Sequence, residues 1–188
     1  MVNQGKNTTD QALADSLKVL VLTKPVEKIT IKEITDRAGV IRPTFYNHFQ
    51  DKYELVEWII RTEILTPAFP LIKNGLTNQA VLLVFTSLMR EREFYNRLSR
   101  MDSPISFEEL IVKCMREVLV EIFSEHPRSK NSKFPWMSVD MIAEHYARSM
   151  CFAVKSWIRQ GMSVSPQEMA DMYEYLMSHS MEQAIREY

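Results

Sequence analysis

The sequence predicts an all-α protein of about nine helices, and three observations support that prediction. Glycine is scarce, with 4 in 188 residues, and none falls in a G-x-G-x-x-G or G-x-x-x-x-G-K-[ST] loop. Methionine is abundant, at 12, among many leucine, glutamate and arginine residues that favour helices. Helix-start patterns of the type Ser/Thr-x-x-Glu/Gln recur ahead of apolar residues at helical spacing. Rossmann, P-loop and β-rich folds therefore have no support.

The composition is that of a globular protein without a strong overall charge. Hydrophobic residues make up 46% and charged residues 25%, which is typical of one domain, or of a small domain joined to a medium one. The net charge is −1, but residues 1–52 carry eight Lys/Arg against six Asp/Glu and are net positive. This weak asymmetry favours a nucleic-acid contact in the N-terminal part.

Cysteine usage and hydropathy predict where the protein works. The two cysteines, Cys114 and Cys151, form no C-x-x-C pair and lie in apolar helical patterns, which predicts buried free thiols in a reducing compartment. The first 15 residues hold no apolar signal segment, and the longest strongly apolar run, 81–85, is too short to span a membrane. We expect a cytoplasmic protein without a membrane contact.

Four short helices are predicted in the N-terminal part, at 8–23, 30–38, 42–48 and 51–65. The first is opened by Thr8-x-x-Gln11 and ended by Lys24-Pro25, and the second is opened by Thr30-x-x-Glu33. Gly39 then supplies a left-handed turn position, and Pro43 fits the first turn of the third helix. Asp51-x-x-Glu54 opens the fourth, and the Thr66-Pro67 and Phe69-Pro70 pairs are expected to end it.

Five longer helices are predicted in the C-terminal part, at 76–90, 93–101, 106–125, 138–160 and 166–186. The patterns Ser106-x-x-Glu109 and Ser165-Pro166-x-Glu168 open two of them, and Gly161 closes another. A polar loop is expected at 126–135. We divide the chain into domains at 1–52 and 53–188, rigidly coupled because one helix can join them.

Residues 30–52 have the pattern of a helix-turn-helix. Ile31, Ile34 and Ala38 share one face of the first helix, and Phe45 and Phe49 lie four residues apart on the next. Two short helices with a glycine-containing turn and apolar residues at their crossing define this motif. The second helix is expected to present its polar residues outward: Arg42, Thr44, Asn47 and His48, with Tyr46 at the flank.

The run T-F-Y-N-H-F-Q-D-K-Y-E-L, which starts at Thr44, carries a family resemblance. It fits the pattern T-x-Y-x-H-F-x-[DNS]-K-x-x-L, so residues 9–65 resemble the N-terminal domain of TetR family transcriptional regulators. The second half is similar in layout, including Trp-Ile-x-x-Gly-Met near its end, to a subgroup labelled dihydroxyacetone kinase regulator-like. The resemblance implies an N-terminal helix-turn-helix DNA-binding domain and a C-terminal helical domain for ligand binding and dimerisation.

The resemblance also implies roles for individual residues at a DNA operator. Thr44, Tyr46 and Lys52 would contact phosphates, with Thr30 and His48 as further phosphate contacts. Arg42 would bind a guanine edge, and Lys32 and Asn47 a base or a phosphate. Pro43 either touches a thymine methyl or only starts its helix. Pro43 and Ile41 depart from the residues usual in the family, which leaves the operator preference unpredicted.

The last two predicted helices carry apolar stripes on more than one face. These stripes indicate either burial within one domain or, as the resemblance implies, a four-helix interface with a second copy. We favour the homodimer, with these residues in its interface: Met141, His145, Ala153, Trp157, Met169, Tyr173 and Met177.

Methionine and aromatic residues also cluster in the middle helices. At each position the ordinary interpretation is the core, and the alternative is an adaptable apolar pocket for a small-molecule effector. The candidate pocket residues are Phe85, Met89, Phe94, Tyr95, Met101, Phe107, Cys114, Tyr146 and Met150.

No motif in the sequence indicates an enzyme, a metal or another cofactor. The four histidines form no H-x-x-x-H or H-E-x-x-H pattern, and no G-x-S-x-G is present. We therefore expect a ligand-responsive regulator, by family default a repressor, which binds a palindromic DNA operator as a homodimer. The alternative is a regulator-derived protein-interaction module with weak or lost DNA binding, because basic residues are few.

Overall fold

A computed structural model of the chain describes residues 2–102, 104–125 and 134–187. Every regular element within those ranges is helical, which confirms the all-α prediction. Most of the predicted loop at 126–135 lies outside the described residues. The α-helices are α1 Val2–Val21, α2 Ile31–Ala38, α3 Arg42–Tyr46, α4 Lys52–Ile59, α5 Thr66–Lys73, α6 Thr77–Arg90, α7 Arg92–Leu98, α8 Phe107–Glu125, α9 Val139–Arg159, α10 Pro166–Ser178 and α11 Met181–Glu187. A short 3₁₀ turn, Val26–Lys28, precedes α2, and a π-helical segment, Ile60–Leu65, joins α4 to α5.

Two of the predicted helix boundaries in the N-terminal half are wrong. Helix α1 begins at Val2 and not at Thr8, because no proline precedes Thr8 and the helix continues through it. The fourth helix does not end at Thr66-Pro67: the backbone N–H of Thr66 donates to the carbonyl of Arg61, five residues back, and the helix goes on. Pro67 then falls in the first turn of α5, where its missing N–H is tolerated.

The last predicted helix is divided in two. His179 takes an extended conformation after α10, and Ser180 begins a new turn. The backbone N–H of Ser180 donates to the side-chain oxygen of Gln183 at 2.7 Å, and the N–H of Gln183 donates to the Ser180 hydroxyl at 3.3 Å. Ser180-x-x-Gln183 is therefore a further capping box, and it makes the helix count larger than the predicted nine.

The other predicted helix starts are confirmed. Thr30 with Glu33 and Ser165 with Glu168 form reciprocal capping boxes, and the Ser106 hydroxyl accepts from the N–H of Glu109. The Asp51 carboxylate accepts from the N–H groups of the two residues after Lys52, at 2.8 and 2.9 Å. Capping of this kind satisfies backbone donors that a helix leaves free at its N-terminus.

The N-terminal helices pack around one apolar centre. Helix α1 lies against α2 and α4, and α2 lies against α3. Leu13 and Leu17 of α1, Ile34 of α2, Phe45 of α3 and Leu55 of α4 are each fully buried. The hydroxyl of Ser16, itself buried, donates to the carbonyl of Ile34 at 2.8 Å and fixes α1 on α2.

The C-terminal helices form a second packed layer that is continuous with the first. Helix α8 lies along α9, α6 lies against α5 and α10, and α7 contacts both α1 and α9. Trp157 of α9 packs edge-on against Phe85 of α6, with ring centres 5.2 Å apart, and its indole N–H donates to the carbonyl of Val164. The buried apolar residues of both halves form one cluster.

Candidate nucleic-acid interface

The turn between α2 and α3 sets the angle at which α3 leaves the protein. Gly39 ends α2 with a φ of +70°, a left-handed conformation that favours glycine. The N–H of Val40 donates to the carbonyl of Thr35 at 3.0 Å and closes the turn. Ile41 is extended, and α3 begins at Arg42 with Pro43 in its first turn.

Two phenylalanines hold α3 on the protein. Phe45 is fully buried and Phe49 is nearly so. Their ring centres lie 5.9 Å apart, and Phe49 in turn meets Trp58 of α4 edge-on at 6.2 Å. This packing uses one side of α3 and leaves the opposite side to solvent.

The solvent side of α3 carries hydrogen-bonding groups at its N-terminal end and flank. Arg42, Pro43, Tyr46 and Asn47 are exposed, and Thr44 is half-buried. A guanidinium nitrogen of Arg42 lies 3.4 Å from the Tyr46 hydroxyl, within reach of a weak hydrogen bond. A guanidinium can fork onto a guanine edge, and hydroxyl and amide groups suit phosphate oxygens. The predicted DNA contacts on α3 are therefore brought together on one face.

His48 is held by a partner that the sequence analysis missed. Its Nδ1 lies 2.6 Å from a carboxylate oxygen of Asp10, which is 5% exposed in the middle of α1. A carboxylate at Nδ1 fixes the orientation of the ring, so that Nε2 is the nitrogen left for another partner. The two residues are 38 positions apart, and no local pattern connects them.

Lys52, for which the resemblance implies a phosphate contact, has protein partners in the structure. Its ammonium donates to the carbonyl oxygens of Glu27 and Ile29, at 2.8 Å each. Desolvation by partial burial lowers the pKa of Lys52 below its usual value. The side chain folds back over the 3₁₀ turn because that turn leaves carbonyl groups without helical partners. Lys52 therefore fastens the 3₁₀ turn to the N-terminus of α4.

The two predicted contacts on α2 also have protein partners. The Thr30 hydroxyl donates to the carboxylate of Glu33 at 2.9 Å, and the ammonium of Lys32 pairs with Asp36 one turn further on. The hydrogen bond from Lys24, together with those from Thr30, lowers the pKa of Glu33 to about 2. Lys32 and Asp36 are exposed, so water or a phosphate can compete for this ion pair.

The predicted effector residues do not form one pocket. Phe85, Phe107 and Cys114 are packed in the core, whereas Tyr146 is 40% exposed at the surface. The others are Met89, half-buried, and Phe94, Met101, Tyr95 and Met150, all buried. Only Tyr95 and Met150 line an apolar cavity of the C-terminal half.

The predicted dimer residues fall into two groups. Trp157, Ala153, Met169 and Tyr173 are buried within the chain itself, so little of their surface is left for a second copy. Trp157 packs against Phe85 of α6, and α10 lies against the same helix. Exposed apolar side chains lie elsewhere on the same helices, and the predicted residues among them are Met141, His145 and Met177.

Both cysteines are free and buried, as predicted. Burial raises the pKa of Cys114 to about 12 and that of Cys151 to about 11, so neither is a reactive thiolate at neutral pH. Within the described part of the chain, no cluster of metal-ligating side chains occurs. The helices in those same ranges are also too short or too polar to cross a membrane.

Comparisons with known proteins agree with this architecture. Residues 12–59 match the family described as "Bacterial regulatory proteins, tetR family", and residues 77–179 match "Transcriptional regulator C-terminal region". The chain is 24% identical to the HTH-type dhaKLM operon transcriptional activator DhaS of Lactococcus lactis subsp. lactis strain IL1403, over 83% of this chain and 82% of that protein. It is 32% identical to the Escherichia coli transposon Tn10 TetC protein, over 38% of this chain and 36% of that one.

Solved structures share the fold at low sequence identity. The dihydroxyacetone kinase operon activator DhaS superposes with a TM-score of 0.55 at 22% identity, covering 89% of this chain and 93% of that one. NalD, the secondary repressor of the MexAB-OprM multidrug efflux pump in Pseudomonas aeruginosa, gives a TM-score of 0.58 at 20% identity, covering 91% and 96%. The two family matches cover the helix-turn-helix and most of the C-terminal helices, and the relatives are regulators and not enzymes. The chain belongs to the TetR family of transcriptional regulators.

Proposed function

We propose that this regulator binds a palindromic DNA operator as a homodimer, with α3 of each subunit in the major groove of one half-site. The observation that carries the proposal is the division of α3 into two sides. Phe45 and Phe49 are buried, while Arg42, Tyr46 and Asn47 point their polar groups away from the protein. Two such helices one DNA turn apart match the symmetry of a palindrome. A protein with this task works in the cytoplasm, beside the chromosome.

The dimer part of the proposal rests on exposed apolar side chains near the C-terminus. Met141 and Phe152 of α9 lie at helical spacing with His145 on one outward stripe, and Phe152 is 73% exposed. Exposed apolar residues continue on the two following helices: Met172, Leu176, Met177, Met181 and Ile185. A monomer rarely leaves such a contiguous apolar surface in water, and a second copy would cover it.

We also propose a response to a small-molecule effector in the C-terminal half. An apolar cavity lies beside the π-helical segment, which is continuous with α4, the helix that joins the DNA-binding part to the C-terminal part. A ligand that prefers one arrangement of this segment would change the distance between the two α3 helices of the dimer. We place the working boundary between the two parts at 52/53, where α4 begins.

Repression is the direction that we propose, because a protein seated on a promoter excludes polymerase without any further contact. The L. lactis relative is named an activator and NalD a repressor, so a promoter fusion must measure the sign. The second candidate is the protein-interaction module with weak DNA binding. It is favoured by the partners of Lys52 and Lys32, which leave few free cations near α3.

The experiment is selection of bound fragments from sheared genomic DNA, followed by sequencing. The test variants are Arg42→Ala and Tyr46→Phe. The matched control is Arg159→Ala, which removes the same charge from an exposed position at the end of α9. We expect a few enriched palindromes with the parent protein and the control, and strongly reduced enrichment with Arg42→Ala.

The opposite result would be equally clear. If no fragment is enriched at low salt by a folded protein, the DNA-binding proposal is wrong and the interaction module replaces it. Enrichment that is unchanged in Arg42→Ala and Tyr46→Phe would remove α3 from the interface.

A further inference from the structure

An apolar cavity that is partly open to solvent lies in the C-terminal half, between the π-helical segment, α5, α6, α8 and α9. It consists of two adjoining voids of about 50 Å³ and about 20 Å³. Leu65, Val84, Met115 and Met150 line both of them. No aspartate, glutamate, lysine, arginine or histidine lines either void. The larger void exceeds the roughly 10–15 Å³ that a single water occupies.

Tyr95 brings a polar group into the otherwise apolar wall of the smaller void. It is 1% exposed, and its hydroxyl has no hydrogen-bond partner among the residues that the structure describes. Every other residue lining that void is aliphatic or methionine. A buried hydroxyl without a partner lowers stability, and a phenylalanine at this position would fill the same space without that loss. The hydroxyl is therefore the feature of this cavity that packing alone does not explain.

The cavity wall includes the irregular turn that joins the two halves of the protein. Ile60 and Ile64 of the π-helical segment line the smaller void, and π-helical turns occur frequently at functional sites. Glu63, on the same segment, forms a largely buried ion pair with Lys18 of α1. The electrostatic field of this carboxylate also reaches the Tyr95 phenol. The wall of the cavity is thus formed in part by the segment that continues directly from α4.

We propose that this cavity binds a compact, uncharged, mainly apolar molecule whose single polar group hydrogen-bonds to the Tyr95 hydroxyl. This inference rests on the effector response proposed above and names the chemistry of the ligand. Charged metabolites are excluded, because the wall offers no counter-charge to offset the free-energy cost of removing the ligand's charge from water. Met115 and Met150 can change rotamer and so admit a ligand larger than the voids.

The test uses three probes of similar size with the full-length protein. Phenol carries one hydroxyl, toluene replaces it by a methyl group, and benzoate carries a charge. Titration calorimetry gives each dissociation constant, and the thermal midpoint gives an independent measure of binding. The test variant is Tyr95→Phe, and the matched control is Tyr146→Phe, whose ring lies outside both voids.

We expect phenol and toluene, but not benzoate, to bind the parent protein and to raise its midpoint. Tyr95→Phe should weaken phenol relative to toluene by about fivefold, which is the effect of one net hydrogen bond. Tyr146→Phe should leave this ratio unchanged. Without ligand, Tyr95→Phe should melt at the same temperature as the parent protein or higher, because its hydroxyl has no partner to lose.

Three results would overturn the inference: binding of benzoate alone, no binding of any probe, or an unchanged phenol-to-toluene ratio in Tyr95→Phe. A lower midpoint of ligand-free Tyr95→Phe would also do so, because the hydroxyl would then serve the fold. Operator affinity is measured separately with and without phenol. If phenol binds but leaves operator affinity unchanged, the ligand chemistry stands and the proposed effector response fails. If another molecule alters operator affinity without competing with these probes, the effector response stands and the ligand chemistry proposed for this cavity fails.

Discussion

The N-terminal helices α1 to α4 and the C-terminal helices α9 to α11 use their apolar residues differently. In the first group, α3 buries Phe45, and its outward side carries Arg42 and Tyr46. In the second group apolar side chains lie both in the core and on the outside: Trp157 is 1% exposed and Phe152 is 73% exposed on the same helix. The apolar side chains of α3 are thus used in the core, whereas α9 to α11 leave part of theirs exposed, which is the surface that we propose for a second copy.

The largest expected effect comes from the buried side of α3. Phe45→Ala removes a fully buried ring and should lower the free energy of unfolding by about 3–5 kcal/mol. Operator binding should fall with it, because Phe49 alone would then hold α3 on the protein. Denaturant unfolding followed by circular dichroism measures the change. Tyr46→Phe, on the exposed side, is the control and should change stability by less than about 0.5 kcal/mol.

A substitution on the exposed side of the C-terminal helices should change the oligomeric state and leave the fold intact. Leu176→Glu places a charge on the proposed dimer surface, where Leu176 is 51% exposed. We expect the mass in solution to fall from twice 22.1 kDa to 22.1 kDa, with the helix content unchanged. Analytical ultracentrifugation measures the mass, and Glu174→Gln on the same helix is the control. A parent protein that is already monomeric at micromolar concentration would refute the dimer proposal.

A substitution of Lys52 tests whether this cation stabilises the fold or contacts DNA. Lys52→Met removes two hydrogen bonds to backbone carbonyls and should lower stability by about 1–3 kcal/mol. The slope of log Kd against log salt should stay within error of the parent value, because no phosphate contact is lost. A slope reduced by about 1 would instead restore Lys52 to the phosphate contacts.

The smallest expected effect is the pH dependence contributed by Glu33. Its pKa is lowered from 4.5 to about 2 in the folded protein, chiefly by the hydrogen bond from Lys24. Its stabilising contribution is therefore complete above about pH 4.5 and is lost as the pH falls through about 2. Glu33→Gln should flatten the stability curve in that window and leave its shape above pH 5 unchanged. Parallel curves for both proteins between pH 2 and pH 5 would contradict this assignment.

The sequence predicts the N-terminal part well because its signals are local. Gly39, Pro43 and the Thr30–Glu33 capping box each act within a few residues, and the structure uses all of them as expected. The same logic fails where a signal depends on a distant partner. Nothing local connects His48 with Asp10, and the folding of Lys52 over the 3₁₀ turn depends on carbonyls more than twenty residues away.

The C-terminal part is predicted only as a set of helices. An apolar stripe at helical spacing identifies a buried face but does not say which partner buries it. The stripe therefore predicts Trp157 and Tyr173 as interface residues. In the structure, α6 and the loop after α9 cover Trp157. The sequence also does not predict the π-helical segment or its continuation into α5, because proline pairs normally end a helix, whereas Pro67 and Pro70 here lie within α5.

Readout of DNA by Arg42 is the central claim, and an operator substitution scan tests it most directly. Each base pair of a selected palindrome is replaced in turn, and Kd is measured for the parent protein and for Arg42→Ala at fixed salt. We expect symmetric positions in the two half-sites where the parent loses about 1–3 kcal/mol on replacement of a guanine, and where Arg42→Ala no longer discriminates. Identical base preferences in both proteins would contradict the account, since Arg42 would then not read the operator.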